Sequence, residues 1–222
     1  MCGRFALIVD ASVLADVFEV EAPLDLKPRY NIAPTQTVAV VREGEASRRE
    51  FASTRWGLIP SWAKDAKMGA RMINARAETV AEKPSFRSAV QSRRCLIPAS
   101  GFYEWITTDA GKQPHFIRFE DGLPFAFAGL WERWSKGDGG PVDTCTIITT
   151  TPNALMEKLH HRMPVILPPD IFDEWLEPRP LAADRLGEIL VPHSAEAMQA
   201  YPVSTYVNKP GNDGPECLVL AD

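Results

Sequence analysis

Cys2 is the residue whose position, more than its type, suggests chemistry. A small residue after Met1 permits removal of the initiator methionine, and the cysteine would then carry a free α-amine beside its thiol, a 1,2-aminothiol. An internal cysteine offers no such pair, because its nitrogen is tied into an amide with a delocalised lone pair. With a reference pKa of about 7.7 to 8.0, a free α-amine is partly neutral and nucleophilic at pH 7. It can condense with an aldehyde to an imine, after which the thiol on the adjacent carbon closes a five-membered thiazolidine. Ordinary thiolate attack on an acyl group is the other chemistry open to it. A small residue tolerated at a frayed terminus accounts for Cys2 equally well.

Three further residues have types suited to proton transfer or orientation. Glu104 lies in Gly101-Phe102-Tyr103-Glu104-Trp105, where large apolar neighbours would raise a carboxyl pKa by desolvation. On an alternating strand the same glutamate could simply face solvent. His160 and His161 open His160-His161-Arg162-Met163-Pro164 and could act near neutral pH, or only complement a helix C-terminus. Asn74, in Ile73-Asn74-Ala75-Arg76-Ala77-Glu78, could orient a substrate oxygen beside the positive charge of Arg76, although capping and turns occupy most asparagines. His115 and His193 have no accompanying constellation and are assigned to structure or surface.

These residues must be positioned by short strands. Val38–Arg42, Arg49–Trp56, Cys95–Pro98, Gly101–Thr107, His115–Glu120, Phe125–Trp131 and Thr144–Thr150 are β-branched or aromatic runs between turns, which predicts a mainly antiparallel sheet. Helices are expected over Asp10–Val20, with Asp10 as cap, and over Asn153–His160, Asp170–Leu176 and Leu181–Leu190. Pro23, Pro28 and Pro34 make Leu24–Thr35 extended or looped. The fold class is α+β, a curved or barrel-like sheet with peripheral helices in one domain over residues 1–222.

A chain of 222 residues with 45% hydrophobic and 24% charged residues can build a core without disulfide or metal staples. No window reads as a membrane span and the start does not read as a secretory signal, so a cytoplasmic protein is expected. Cys2, Cys95, Cys145 and Cys217 are scattered, which fits free thiols and neither a disulfide framework nor a zinc site. A net charge of −5 argues against a globally cationic nucleic-acid coat. Charge is nevertheless uneven, since Arg42–Arg94 holds twelve Lys/Arg against six Asp/Glu. There Arg55, Arg71, Arg76, Arg87, Arg93 and Arg94 interleave with Trp56 and Trp62, a combination that suits phosphates and unstacked bases, or merely a solvated basic face.

Met1-Cys2-Gly3-Arg4-Phe5, Arg29-Tyr30-Asn31-Ile32-Ala33-Pro34, Trp56-Gly57-Leu58-Ile59-Pro60 and the three blocks around Asn74, Glu104 and His160 together resemble the SRAP family, the SOS response-associated peptidase fold. Pro202-Val203-Ser204 with Asn208 and Asn212 resembles its C-terminal block. The resemblance implies a sensor of abasic sites in single-stranded DNA that traps the ring-opened sugar aldehyde on Cys2 as a thiazolidine, with peptidase-like or lyase-like self-release. It implies that Asn74 positions the terminus or sugar, Glu104 handles protons in imine formation, and His160 assists opening of the deoxyribose. The family spacing His-x-Arg-x-Pro selects His160 over His161. Arg76 is implied as a phosphate contact, and Arg4, Trp56, Trp62 and Arg71 as further DNA contacts. Abasic single-stranded DNA is the expected partner of a monomer, nucleoid-associated in a bacterial cell, with no cofactor and no obligate protein partner.

Two rival readings follow from the same residues. An N-terminal-nucleophile amidohydrolase or glutamine amidotransferase would use Cys2 on an amide with its own amine as base. Thr54-Arg55-Trp56-Gly57 echoes such an enzyme's substrate loop, but no Asn-Gly-Asp block accompanies it. A non-covalent DNA-binding module would use the arginines and tryptophans and leave Glu104 and His160 without roles.

Overall fold

Each of the seven expected runs contributes to a strand, and five of those strands close on themselves. The computed structural model describes residues 2–21, 26–44, 48–109, 111–137 and 139–221. In chain order the elements are β1 (Phe5–Leu7), α1 (Ala11–Phe18), β2 (Arg29–Ile32), β3 (Thr37–Glu43), β4 (Arg49–Trp56), β5 (Asn74–Arg76), α2 (Ala89–Ser92), β6 (Arg94–Ala99) and β7 (Gly101–Thr108). There follow β8 (Gly111–Phe119), β9 (Phe125–Trp134), β10 (Val142–Thr150), β11 (Met163–Pro164), β12 (Ile166–Leu167), α3 (Phe172–Leu176), α4 (Ala183–Ile189) and β13 (Met198–Pro202).

The circuit β10-β4-β3-β6-β9 returns to β10 through the β9–β10 ladder, so these strands form a barrel. Closure leaves no free edge on the circuit. Both faces of its wall are covered, with Val40, Ile97, Phe127 and Ile147 on one face and Leu96 and Leu130 on the other, all fully buried. Most pairings are antiparallel as expected, but β10 runs parallel to both β4 and β5.

A second sheet, in the order β13-β8-β7-β1-β2, packs against the barrel. All three residues of β1 are buried because both of its faces are covered. Phe5 and Leu7 join the barrel core, with Phe5 edge-on to Trp56 at 5.2 Å and to Phe127 at 5.8 Å, whereas Ala6 faces an outer cluster with Tyr103, Phe116 and Val207. The same alternation on β7 sends Phe102 to the barrel and Tyr103 to the outer cluster.

Two local expectations are corrected and one is refined. Within the segment expected to be extended or looped, Arg29–Ile32 is the extended strand β2, whose partner β1 is distant in sequence. The helix expected over Asn153–His160 is reduced to a single 3-10 turn, Met156–Lys158. There the Asn153 side chain accepts from the Met156 amide at 2.9 Å while donating to the His193 carbonyl at 2.8 Å, which pins the turn to a remote loop. Asp10 stands at the N-cap of α1 without making a side-chain cap bond.

The C-terminal stretch clasps the first strands. Asn31 Nδ2 donates to the carbonyls of Val207, Lys209 and Asn212, and Asp213 accepts from the amides of Tyr30 and Asn31 and from Arg29 Nε. These bonds satisfy the outer edge of β2.

Candidate active site

The first strand carries the chain's start to β7. Phe5 pairs with Phe102, Ala6 with Gly101, and the Tyr103 amide donates to the Arg4 carbonyl at 2.9 Å. Arg4 is committed inward, because its Nη1 donates to Asn31 Oδ1 at 2.6 Å and to the Val207 carbonyl at 2.9 Å, and its guanidinium lies over Trp105 at 5.6 Å. The arginine expected in a DNA channel is thus a tie between β1, β2 and the C-terminal clasp.

Cys2 is completely buried. Its carbonyl accepts from Asn74 Nδ2 at 2.8 Å. Asn74 is held in register by β5, where Asn74, Ala75 and Arg76 pair with Ile147, Ile148 and Thr149 of β10. The other amide atom, Asn74 Oδ1, is buried and has no partner among the described residues, an acceptor available to a group that brings its own proton. Burial, and then the neighbouring Glu104, push the Cys2 thiol well above its ordinary value, so it stays protonated near neutrality.

Glu104 faces the same side of β7 as Phe102, toward the barrel, and is buried. Burial pushes its carboxyl up to about 7, against the opposing pull of the positive amino terminus. That value suits a group that must give and take a proton near neutral pH. His160 lies beyond the 3-10 turn, and its pKa is lowered, first by burial and then by the positive amino terminus. His160 stacks on His161 at 4.3 Å, and both line an open pocket of about 580 Å³ with Pro152, Glu157, Lys158 and Leu159. A larger concavity of about 730 Å³, lined by residues such as Lys27, Arg49 and Phe51, contains none of these groups.

Other expected site residues separate by burial. Trp56 is fully buried, with Nε1 donating to the Ile73 carbonyl at 2.8 Å, so it has no face for a base and instead ties its block to the one that holds Asn74. The turn after β4 depends on Gly57, whose φ of 127° and close approach to the Gly69 carbonyl exclude a Cβ. Trp62 is 49% exposed. Arg71 and Arg76 are exposed, as is Arg87, while Arg55 is half-buried. Arg94 is buried and donates to the carbonyls of Val90, Gln91, Trp175, Glu177 and Arg179, and Arg93 pairs with Glu132. The basic face is correspondingly smaller than the sequence count suggests.

Glu78 and Arg162 lie in the sequence blocks around Asn74 and His160 but carry no local signal of their pairing. Their fork-shaped ion pair, with Nη–Oε distances of 2.6 and 2.9 Å, joins the Asn74 block to the His160 block. All four cysteines are buried free thiols. Among the described residues no group of three or more His, Cys, Asp or Glu is placed to hold a metal, and no helix is long and apolar enough to cross a membrane.

The sequence model of a family described as "SOS response associated peptidase (SRAP)" matches residues 1–210. Abasic site processing protein YoqW of Bacillus subtilis (strain 168) is 47% identical over 223 residues, covering 98% of this chain and 99% of that protein. Abasic site processing protein HMCES of Gallus gallus is 33% identical over 224 residues, covering 87% of this chain and 66% of that one. A crystal structure of a protein from Bacteroides thetaiotaomicron superposes with a TM-score of 0.89 at 28% identity and covers the whole of both chains.

Proposed function

Because the chain belongs to the SOS response associated peptidase (SRAP) family, we propose that it binds single-stranded DNA at abasic sites and captures the ring-opened deoxyribose covalently on Cys2. The observation that carries this reading is the bond from Asn74 Nδ2 to the Cys2 carbonyl, which fixes the backbone of the residue that must present both nucleophiles.

Excision of Met1 turns the Cys2 nitrogen from an amide into an amine. The amine attacks the sugar aldehyde and gives a carbinolamine. Glu104, protonated over part of its population near pH 7, donates to the carbinolamine hydroxyl, which leaves as water as the imine forms. Cys2 Sγ then attacks the imine carbon while its proton passes to the nitrogen, closing the thiazolidine. The net change is loss of one water. His160 assists ring opening by exchanging a proton with the sugar hydroxyl. Holding amine, thiol and aldehyde together is worth effective molarities on the order of 10⁵ M in well-oriented cases. Reversal through the same imine takes up one water and returns the sugar aldehyde and the free Cys2 amine and thiol.

The raised Cys2 pKa favours this order of events, since a neutral thiol is a poor first nucleophile whereas the amine needs no thiolate. The same fact weighs against the amidohydrolase reading. Exposed Arg71, Arg76 and Trp62 are the candidates for contact with the strand.

Denaturing electrophoresis after mixing the protein with abasic single-stranded DNA tests the reading. A shifted covalent band is expected, absent in Cys2→Ala and absent when the amino terminus is extended or blocked. A band that survives Cys2→Ala, or ammonia release from glutamine without any band, would refute it.

A further inference from the structure

Glu78 and Arg162 are 84 residues apart in sequence and take no part in the steps above, yet they are joined with unusual completeness. Arg162 Nη1 and Nη2 grip the two carboxylate oxygens of Glu78, and Nη2 also donates to the Thr149 carbonyl at 2.6 Å. The arginine side chain is 12% exposed and the glutamate 47%. A planar guanidinium bonded at three points has little freedom to rotate. Thr149 belongs to β10, the strand that pairs with Arg76 on one side and Pro164 on the other, so the anchor spans the blocks that carry Asn74 and His160.

The backbone of Arg162 meets the ring of His160. Its amide nitrogen is 3.0 Å from Nδ1 and its carbonyl oxygen is 3.1 Å from the same atom. An amide N–H can only donate, so a neutral ring in this seat offers the Nδ1 lone pair and carries its proton on Nε2. The carbonyl competes by favouring a proton on Nδ1. The N–H belongs to the His161–Arg162 peptide and the carbonyl to the Arg162–Met163 peptide, so the relative tilt of these two peptides decides which nitrogen is protonated.

We propose that the Glu78–Arg162 ion pair is a positioning device for His160, pinning the Arg162 peptide so that its N–H holds the ring in the Nε2–H tautomer. Its consequence for catalysis rests on the reading that His160 assists lesion capture, but its structural content does not. An orienting partner that fixes a histidine tautomer is a recognised determinant of proton-transfer rate.

The test uses full-length protein with ¹⁵N-labelled histidine and correlates the ring nitrogens with the ring carbon-bound protons, His160 being assigned by comparison with His160→Ala. Wild type should show His160 as the Nε2–H tautomer. Glu78→Gln, which keeps shape and removes charge at a half-exposed site, should give a mixture of tautomers. It should also slow capture of abasic single-stranded DNA by on the order of 10- to 100-fold, at unchanged DNA affinity. Glu78→Asp, which keeps the charge, should recover the Nε2–H signal at least in part. An Nδ1–H ring in wild type or an unchanged ring in Glu78→Gln would overturn the proposal, and an altered ring with an unchanged capture rate would overturn its consequence for catalysis. If wild type captures no DNA while Glu78→Gln still loses the tautomer, the capture reading falls and the positioning device stands.

Discussion

Asn74 Nδ2 and the carbonyl of Cys2 are 2.8 Å apart although 72 residues separate them in sequence. The contact is a product of strand register, because β5 is fixed on β10 and β1 on β7, and the two sheets bring the ends of both strands together. It holds the backbone of the reactive residue without consuming its nitrogen or sulfur.

Removing that bond should affect chemistry more than folding. Asn74→Ala is expected to slow capture by on the order of tenfold or more through loss of orientation. Its stability cost should be only about 1 kcal/mol. Asn74→Asp should be worse, since it sets an acceptor against the Cys2 carbonyl. Time courses of the shifted band, with DNA affinity measured separately, check both.

Glu104 predicts a pH dependence with a defined sign. Its folded pKa of about 7 lies above the ordinary carboxyl value of 4.5, so the stability it contributes is complete below pH 4.5 and is lost as pH rises through 7. Glu104→Gln should therefore gain stability relative to wild type between pH 4 and pH 8, by up to roughly 3 kcal/mol. Urea unfolding at the two pH values measures this. Capture by wild type should fall as pH rises through 7, and that limb should flatten in the variant.

Exposed and buried arginines should behave oppositely. Arg76→Ala is expected to weaken binding of single-stranded DNA and to reduce the slope of log K against log salt by roughly one unit. Arg94→Met should leave five carbonyls short of a donor and destabilise the fold by several kcal/mol, while the slope of the remaining folded protein stays unchanged. Binding titrations across a salt series, paired with urea unfolding, separate the two effects.

The two tryptophans of the basic segment should divide in the same way. Trp56→Ala removes a fully buried ring packed on Phe5 and should cost about 3 to 5 kcal/mol in unfolding free energy. Trp62→Ala should hardly change stability but should weaken single-stranded DNA binding by about 1 to 3 kcal/mol if a base stacks on it. An unchanged affinity would remove Trp62 from the interface.

The inventory of reactive types, the family resemblance and most of the strands were legible in the order of the residues. Runs such as Arg49–Trp56 and Phe125–Trp131 are legible because β-branched and aromatic composition between turns is a local property. Alternation says that a strand has two faces, but not what covers each of them. Only tertiary packing buried Glu104 under the second sheet and lifted its pKa, enclosed Trp56, set Arg94 among the carbonyls of α2 and of α3 and the stretch after it, tied Arg4 to Asn31 and the C-terminal clasp, and left Trp62, Arg71 and Arg76 outside. β2, β5 and the seat of His160 were hidden for the same reason, since each owes its geometry to partners tens of residues away. Desolvation and hydrogen-bond satisfaction depend on neighbours in space, and those exist only once the chain has folded.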